Sequence, residues 1–201
     1  MTTPPLSAIV AATYNIHYAI GTDRRFAPAR IAEVILSLGV DVVALQEVGW
    51  HYRGQAGVDQ FELLGQLTGF EVHQGLARNH PDAHFGNAIL SRLPARAATT
   101  IDLAVPLHPP RCAMFVEFGS GAEAFRVVNL HLGLNPWERR AQVKRLLSAL
   151  DGAEPLPSLL LGDFNEWRRA PAYFDPITQR FPHCSMPESF HASYARKLVT
   201  A

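Results

Sequence analysis

The chain has 201 residues, 48% of them hydrophobic, and 18 Lys plus Arg balance 18 Asp plus Glu. That is enough apolar material for one sizeable core. Zero formal net charge excludes a global positive field that would gather nucleic acid, although a local basic patch stays open.

No apolar run approaches the roughly 20 residues of a membrane helix. The opening "MTTPPLSAIVAATYNIHY" has no Lys or Arg before its short apolar run, so it reads as a poor signal peptide. Cys112 and Cys184 are far apart and form neither a disulfide framework nor a zinc motif. They read as buried or incidental thiols, and a soluble cytoplasmic protein is expected.

In chain order, "AIVAATYNI" (8–16) reads as a buried strand. "PARIAEVILSLG" (28–39) changes to a helical period, with Ile31, Val34, Ile35 and Leu38 on one face and Gly39 as the stop. "DVVALQEV" (41–48) is a strand. "DQFELLGQLTG" (59–69) opens with Asp59 three residues before Glu62, the spacing of a reciprocal helix cap, with Leu63, Leu64 and Leu67 as its apolar stripe. "GNAILS", "RCAMFVEF" and "FRVVNLHL" follow as strands. "NPWERRAQVKRLLSALDG" (135–152) is the clearest helix: Asn135 caps it and Pro136 suits its first turn. Val143, Leu146, Leu147 and Leu150 form its buried side, and Gly152 ends it. "LPSLLLGDFN" (156–165) is the last clear strand. Beyond Glu166, Pro171, Pro176, Pro182 and Pro187 interrupt the signal. Consecutive strands between 85 and 130 without a helix argue for mixed or antiparallel sheets with helices outside, an α+β class in one domain.

Three apolar strands end in paired polar residues: Asn15 and His17, Asn129 and His131, Asp163 and Asn165. Residues two apart share a strand face. A fourth strand delivers Glu47. Buried polar groups are costly unless paired or coordinated, so several at strand ends point to a common pocket at the rim of a sheet. Asp, Glu and Asn are hard oxygen ligands suited to Mg²⁺ or Mn²⁺. His131 adds a proton-exchanging group. Together these types suit hydrolysis of a phosphate ester. There is no glycine-rich phosphate loop and no Gly-x-Ser-x-Gly elbow.

"TYNIHYAIGTDRRFAPARIAEVI", "DVVALQEV", "GNAILSR", "VVNLHLG" and "LLLGDFNEW" occur in that order. Over roughly residues 8–167 the chain resembles the endonuclease/exonuclease/phosphatase family. The resemblance implies a DNase-I-like four-layered sandwich: two packed mixed β-sheets flanked by helices. It also implies Mg²⁺-dependent hydrolysis of a phosphodiester or phosphomonoester. Carried over, Glu47 matches the metal-binding glutamate and Asn15 the asparagine close to metal and phosphate. Asp163 matches the aspartate that orients or deprotonates water, Asn165 the asparagine that holds a phosphate oxygen, and His131 the histidine that donates to the phosphate or leaving group. Arg111 resembles an arginine near the pocket, with a surface salt bridge as the other reading. His17 is read as structural, Asn87 as a turn or supporting residue. Trp137 and Trp167 are groove or core residues, and "WERRAQVKRLL" is a solvated basic surface.

The family pattern also implies a Leu-Asp-x-Ile strand and a terminal Ser-Asp-His, and this sequence has neither; its last aspartate is Asp175. His183 and His191 are not expected to replace the missing histidine. The chain therefore reads as a member truncated at its C-terminus, lacking strands of one sheet and with an impaired pocket. Losing a general acid or base costs about 10²–10⁴ in rate. The expected partner is a phosphate-ester substrate. Small diesters, lipid or inositol phosphates and nucleic acid are all open, the last disfavoured by net charge. The competing reading is a catalytically inactive binding protein or remnant that keeps the fold.

Overall fold

The structure is a computed structural model and describes residues 8–49, 58–80, 83–166 and 171–183. Apolar runs become strands wherever their side chains meet two layers. β1 (Ala11–Asn15), β2 (Val42–Gly49), β3 (Glu71–Arg78) and β4 (Phe85–Ser91) form one sheet in the order β1-β2-β4-β3. β5 (Ala95–Asp102), β6 (Cys112–Phe118), β7 (Phe125–His131) and β8 (Ser158–Asp163) form the second, in the order β5-β6-β7-β8. Each sheet holds one parallel pair, β1 with β2 and β7 with β8; the other pairings are antiparallel.

The sheets pack face to face and helices cover their outer faces. Along β2, Val43 and Leu45 point to α1 (Pro28–Ser37) and α2 (Gln60–Thr68), whereas Val42 points to the other sheet. Along β7, Val128 and Leu130 meet α3 (Pro136–Asp151) and α4 (Asp175–Arg180), whereas Val127 joins Ile89, Met114 and Val116 between the sheets. This is the four-layered α+β sandwich of two packed mixed sheets. Across the interface β1 lies against β8 and β2 against β7. The two parallel pairs are therefore stacked, and their carboxyl ends meet at one corner.

The predicted strands and longer helices form near the expected positions. α3 runs from the Asn135 cap, whose Oδ1 accepts from the Trp137 amide, to Asp151 just before Gly152. Several details differ. On α1 the buried stripe is Ile31, Ala32 and Ile35, while Val34 and Leu38 are exposed. On α2 it is Phe61 and Leu64, with Leu67 exposed. Asp59 caps α2 as expected, accepting from the Phe61 and Glu62 amides, but the Glu62 carboxylate accepts from Gln66 Nε2. Pro176 does not break structure; it sits in the first turn of α4, where a missing N–H costs nothing. β3 and β5 carried no clear sequence signal. Trp137 is 78% exposed, so it is not a core residue. Trp167, Cys184 and His191 lie outside the described residues. Among the described residues, no helix is long and apolar enough to cross a membrane.

Candidate active site

Asn15, Glu47, His131 and Asp163 sit at the carboxyl ends of β1, β2, β7 and β8. The stacking of the parallel pairs brings these ends together. His131 is paired with Asp163 across the β7–β8 ladder. Asn15 spans the two sheets: its Nδ2 donates to Glu47 Oε1 at 3.1 Å and to Asp163 Oδ2 at 2.9 Å. One amide thus holds two carboxylates from opposite sheets.

Glu47 reaches the site because β2 breaks its alternation. The β2–β4 register shifts between Leu45 and Val48, so Gln46 and Glu47 together oppose Asn87. Glu47 takes a left-handed φ of 57°. The bulge returns Val48, rather than Glu47, to the helix-facing core beside Leu45. The bulge is braced from the other sheet. Buried Asn129 donates through Nδ2 to Leu45 O at 2.9 Å and Ala88 O at 2.8 Å, and its Oδ1 accepts from Gln46 Nε2 at 2.8 Å. Asn129 shares a strand face with His131 as predicted, but it lies deeper and joins the sheets beneath the pocket.

The β8 end is shaped by Gly162, whose φ is +148° and whose missing side chain lets Leu130 O approach closely. Past it, Asp163 Oδ1 accepts from the Asn165 amide at 2.9 Å, turning Asn165 back with a φ of 48°. Asn165 Nδ2 then donates to Leu132 O at 2.9 Å and to His131 Nε2 at 3.0 Å. An amide NH₂ only donates, so Nε2 carries a lone pair and the ring proton sits on Nδ1. His131 is buried, with Nε2 4.0 Å from Glu47 Oε1 and 3.9 Å from Asp163 Oδ2. Burial first, and the Arg111 charge second, push its pKa down to about 4 against the opposing pull of Asp163 and Glu47. At neutral pH the ring is uncharged.

Arg111 lines a narrow pocket with Tyr18, Glu47, Asn87 and His131. Its guanidinium rests on main-chain oxygens, those of Leu132 and Pro110 at 3.4 Å each. Asn87 is mid-strand rather than in a turn, and its Nδ2 donates to Cys112 O across the sheets at 3.0 Å. Cys112 is buried, its thiol donates to Gly75 O, and burial pushes its pKa up to about 12. His17 lies against both Asn15 and Glu47. Its backbone amide donates to Asn15 Oδ1, and its Nδ1 lies 3.0 Å from Glu47 Oε2. His17, Tyr18 and Ala19 all have left-handed φ angles, in a turn tied down by Gln60, whose Nε2 donates to Tyr18 O. The sequence signal for this contact was its position two residues after Asn15. Gln60 gave no such signal.

The basic helix segment also reads differently in three dimensions. Arg139 is 2% exposed, not solvated. It donates to Gly133 O, Leu134 O, Tyr173 Oη and Glu166 Oε2.

The sequence profile of the endonuclease/exonuclease/phosphatase family matches residues 12–195. The uncharacterized protein YbhP of Escherichia coli K12 is 29% identical over 170 residues, which cover 78% of this chain and 66% of YbhP. An endonuclease/exonuclease/phosphatase from Beutenbergia cavernae DSM 12333 is similar in structure, with a TM-score of 0.63 at 25% identity over 79% of this chain and 48% of that one. The mannosyl-6-phosphatase Bt3783 of Bacteroides thetaiotaomicron VPI-5482 shares the fold at a TM-score of 0.65 and 18% identity, over 85% of this chain and 71% of that one. The chain therefore spans just under two thirds of YbhP and about half of the Beutenbergia chain.

Proposed function

The chain belongs to the endonuclease/exonuclease/phosphatase family, and from that premise we propose that it is a metal-dependent hydrolase of phosphate esters. The observation that carries this reading is the single network joining Asn15, Glu47, His131, Asp163 and Asn165 across two sheets.

The donor set fits a hard cation. Glu47 and Asp163 offer carboxylate oxygens, and the thiol of Cys112, which shares the pocket lining, is turned to Gly75 O. Among the described residues, no three or more His, Cys, Asp and Glu are grouped to hold a metal. The pair of carboxylates suits Mg²⁺ or Mn²⁺, since such an ion binds one or two carboxylates and keeps water or phosphate elsewhere in its shell. Glu47 would hold it. Asn15 gives its Oδ1 to the His17 amide and its Nδ2 to the carboxylates, so its part is to fix Glu47 and Asp163. When bound, the ion neutralises phosphate charge.

The chain's own residues divide the remaining work. Asp163, steadied by Asn15 and the Asn165 amide, accepts a proton from water. Arg111 supplies positive charge for the phosphate. His131 enters neutral; an arriving phosphate adds negative charge beside the buried ring and raises its proton affinity. Its Nε2 takes up a proton from solvent as the substrate arrives, parts from the Asn165 amide, and serves as donor to the phosphate or leaving group.

The test is turnover of p-nitrophenyl phosphate and bis-p-nitrophenyl phosphate with Mg²⁺ or Mn²⁺, by wild type, Glu47→Gln and Asp163→Asn. Metal-dependent turnover that falls about 10²-fold or more in both variants supports the proposal. Metal binding without turnover of either ester rejects it in favour of a non-catalytic binding protein.

A further inference from the structure

Arg139 is a buried charged side chain with no part in the proposed reaction. A buried charge is expensive unless its geometry is well satisfied. Here Nη1 donates to Gly133 O at 3.1 Å and Leu134 O at 2.6 Å, Nη2 to Glu166 Oε2 at 3.0 Å, and Nε to Tyr173 Oη at 2.8 Å. Tyr173 Oη also donates to Glu166 Oε2. One turn further along α3, Gln142 Oε1 accepts from the Gly133 amide at 2.8 Å, and its Nε2 donates to Glu138 Oε1 at 3.0 Å. Both main-chain polar groups of Gly133 are thus held by one helix.

The anchored points are not arbitrary. Gly133 and Leu134 follow His131 by two and three residues. Glu166 follows Asn165 directly. The rigid guanidinium fork therefore clamps the loop leaving β7 to the loop leaving β8, behind the Asn165–His131 contact. A buried aliphatic side chain would fill the space but fix neither loop.

We propose that Arg139 is a positioning residue: by clamping the 133–134 loop to Glu166 it sets the Asn165–His131 contact, and so the tautomer and orientation in which the His131 ring meets the reacting phosphate. The inference rests on the phosphate-ester reading for its purpose, but its geometry can be judged alone. The measurement is the ¹⁵N spectrum of the His131 ring in the full chain at neutral pH, assigned with His131→Gln. Wild type is expected to show Nε2 as the unprotonated nitrogen. Arg139→Met and the isosteric Glu166→Gln are expected to shift Nε2 toward the protonated form, with Arg139→Lys giving no full rescue. In the turnover assay kcat should fall about tenfold to a hundredfold with KM little changed. Variants that unfold cooperatively like wild type, yet keep its His131 spectrum, overturn the proposal. If Arg139→Met does not fold, Glu166→Gln decides by the same criterion. If wild type turns over no ester, the hydrolase reading fails, and the spectra still decide whether Arg139 sets the contact.

Discussion

Replacing Gly162 with alanine tests the β7–β8 junction where His131 and Asp163 are set side by side. An added Cβ at Gly162 would lie 2.2 Å from Leu130 O and 2.9 Å from Leu130 N and C. Ordinary contact begins at 3.4 Å, so the shortfall is about 1.2 Å. The obstacle is backbone, and β7 is held on its other side by β6, so it cannot swing away. β8 must withdraw, stretching the 2.9 Å bond from the Leu132 amide to Asp163 O. Overpacking of this kind costs about 1–3 kcal/mol, and a side chain at φ +148° adds about 1–3 kcal/mol. Together they predict a loss of about 2–6 kcal/mol, a large part of a typical domain's stability. The same displacement moves Asp163 by about 1 Å, which lowers turnover about 10²-fold. Urea unfolding measures the first effect and metal-dependent ester hydrolysis the second. Gly39→Ala is the control: its φ is +61° but nothing lies within 4 Å, so it carries backbone strain without the clash. The reasoning is refuted if Gly162→Ala costs no more than Gly39→Ala and leaves turnover unchanged.

Three further outcomes are expected. Asn129→Leu strips the bulge of its brace at Leu45 O and Ala88 O, and should lower stability by about 2–4 kcal/mol in urea; a change below about 0.5 kcal/mol would contradict it. In metal-free protein His131 stays neutral down to about pH 4, whereas the unfolded ring protonates near its ordinary value of 6.5. The unfolded state thus binds the extra proton as pH falls from about 6.5 to 4, and stability should drop by up to about 3 kcal/mol across that window relative to His131→Gln, which parallel pH series in urea would reveal. Mg²⁺ at a hundred times its dissociation constant should stabilise the wild type by about 2.7 kcal/mol in thermal melts, and Glu47→Gln should abolish the shift.

What the sequence made legible followed from burial. Strands flanked by layers on both faces, such as β2, β4, β6 and β7, announce themselves as apolar runs. β5 is largely exposed along "ARAATTID" and β3 has one buried residue, Gly75, so no apolar pattern marks them. α3 was legible through Asn135 and Pro136, but the burial of Arg139 was not. A helix-wheel argument assigns arginine to water, and only the loops after β7 and β8, folded over it, supply the carbonyls and carboxylate that let it stay inside. The seven polar residues at strand ends were legible as a set. Their spacing implied shared strand faces, yet His17 and Asn165 lie beyond the strand ends and are aimed by left-handed turns. Glu47 is aimed by a bulge whose brace, Asn129, sits 82 residues away in sequence.

Glu47 concentrates the conflict between stability and chemistry. It is a non-glycine residue at φ 57°, a conformation costing roughly 1–2 kcal/mol for most side chains and less for asparagine. Its carboxylate also shares the Asn15 amide with Asp163, so two negative groups are gathered with one donor between them. His17 offsets part of this through Nδ1. Nothing in the packing of β2 requires a glutamate there, because Val48 has already resumed the core. The proposed metal site gives this carboxylate its purpose. Glu47→Asn should then behave unlike most substitutions at a well-bonded position. The metal-free variant should be as stable as wild type, or up to about 1 kcal/mol more stable, because left-handed strain and carboxylate repulsion are both relieved. The stabilisation by Mg²⁺ should disappear at the same time. Thermal melts with Mg²⁺ and with a chelator separate the two effects. A variant destabilised by more than about 1 kcal/mol without metal would show that Glu47 is a structural residue, and one that keeps the Mg²⁺ shift would show that the ion is held elsewhere.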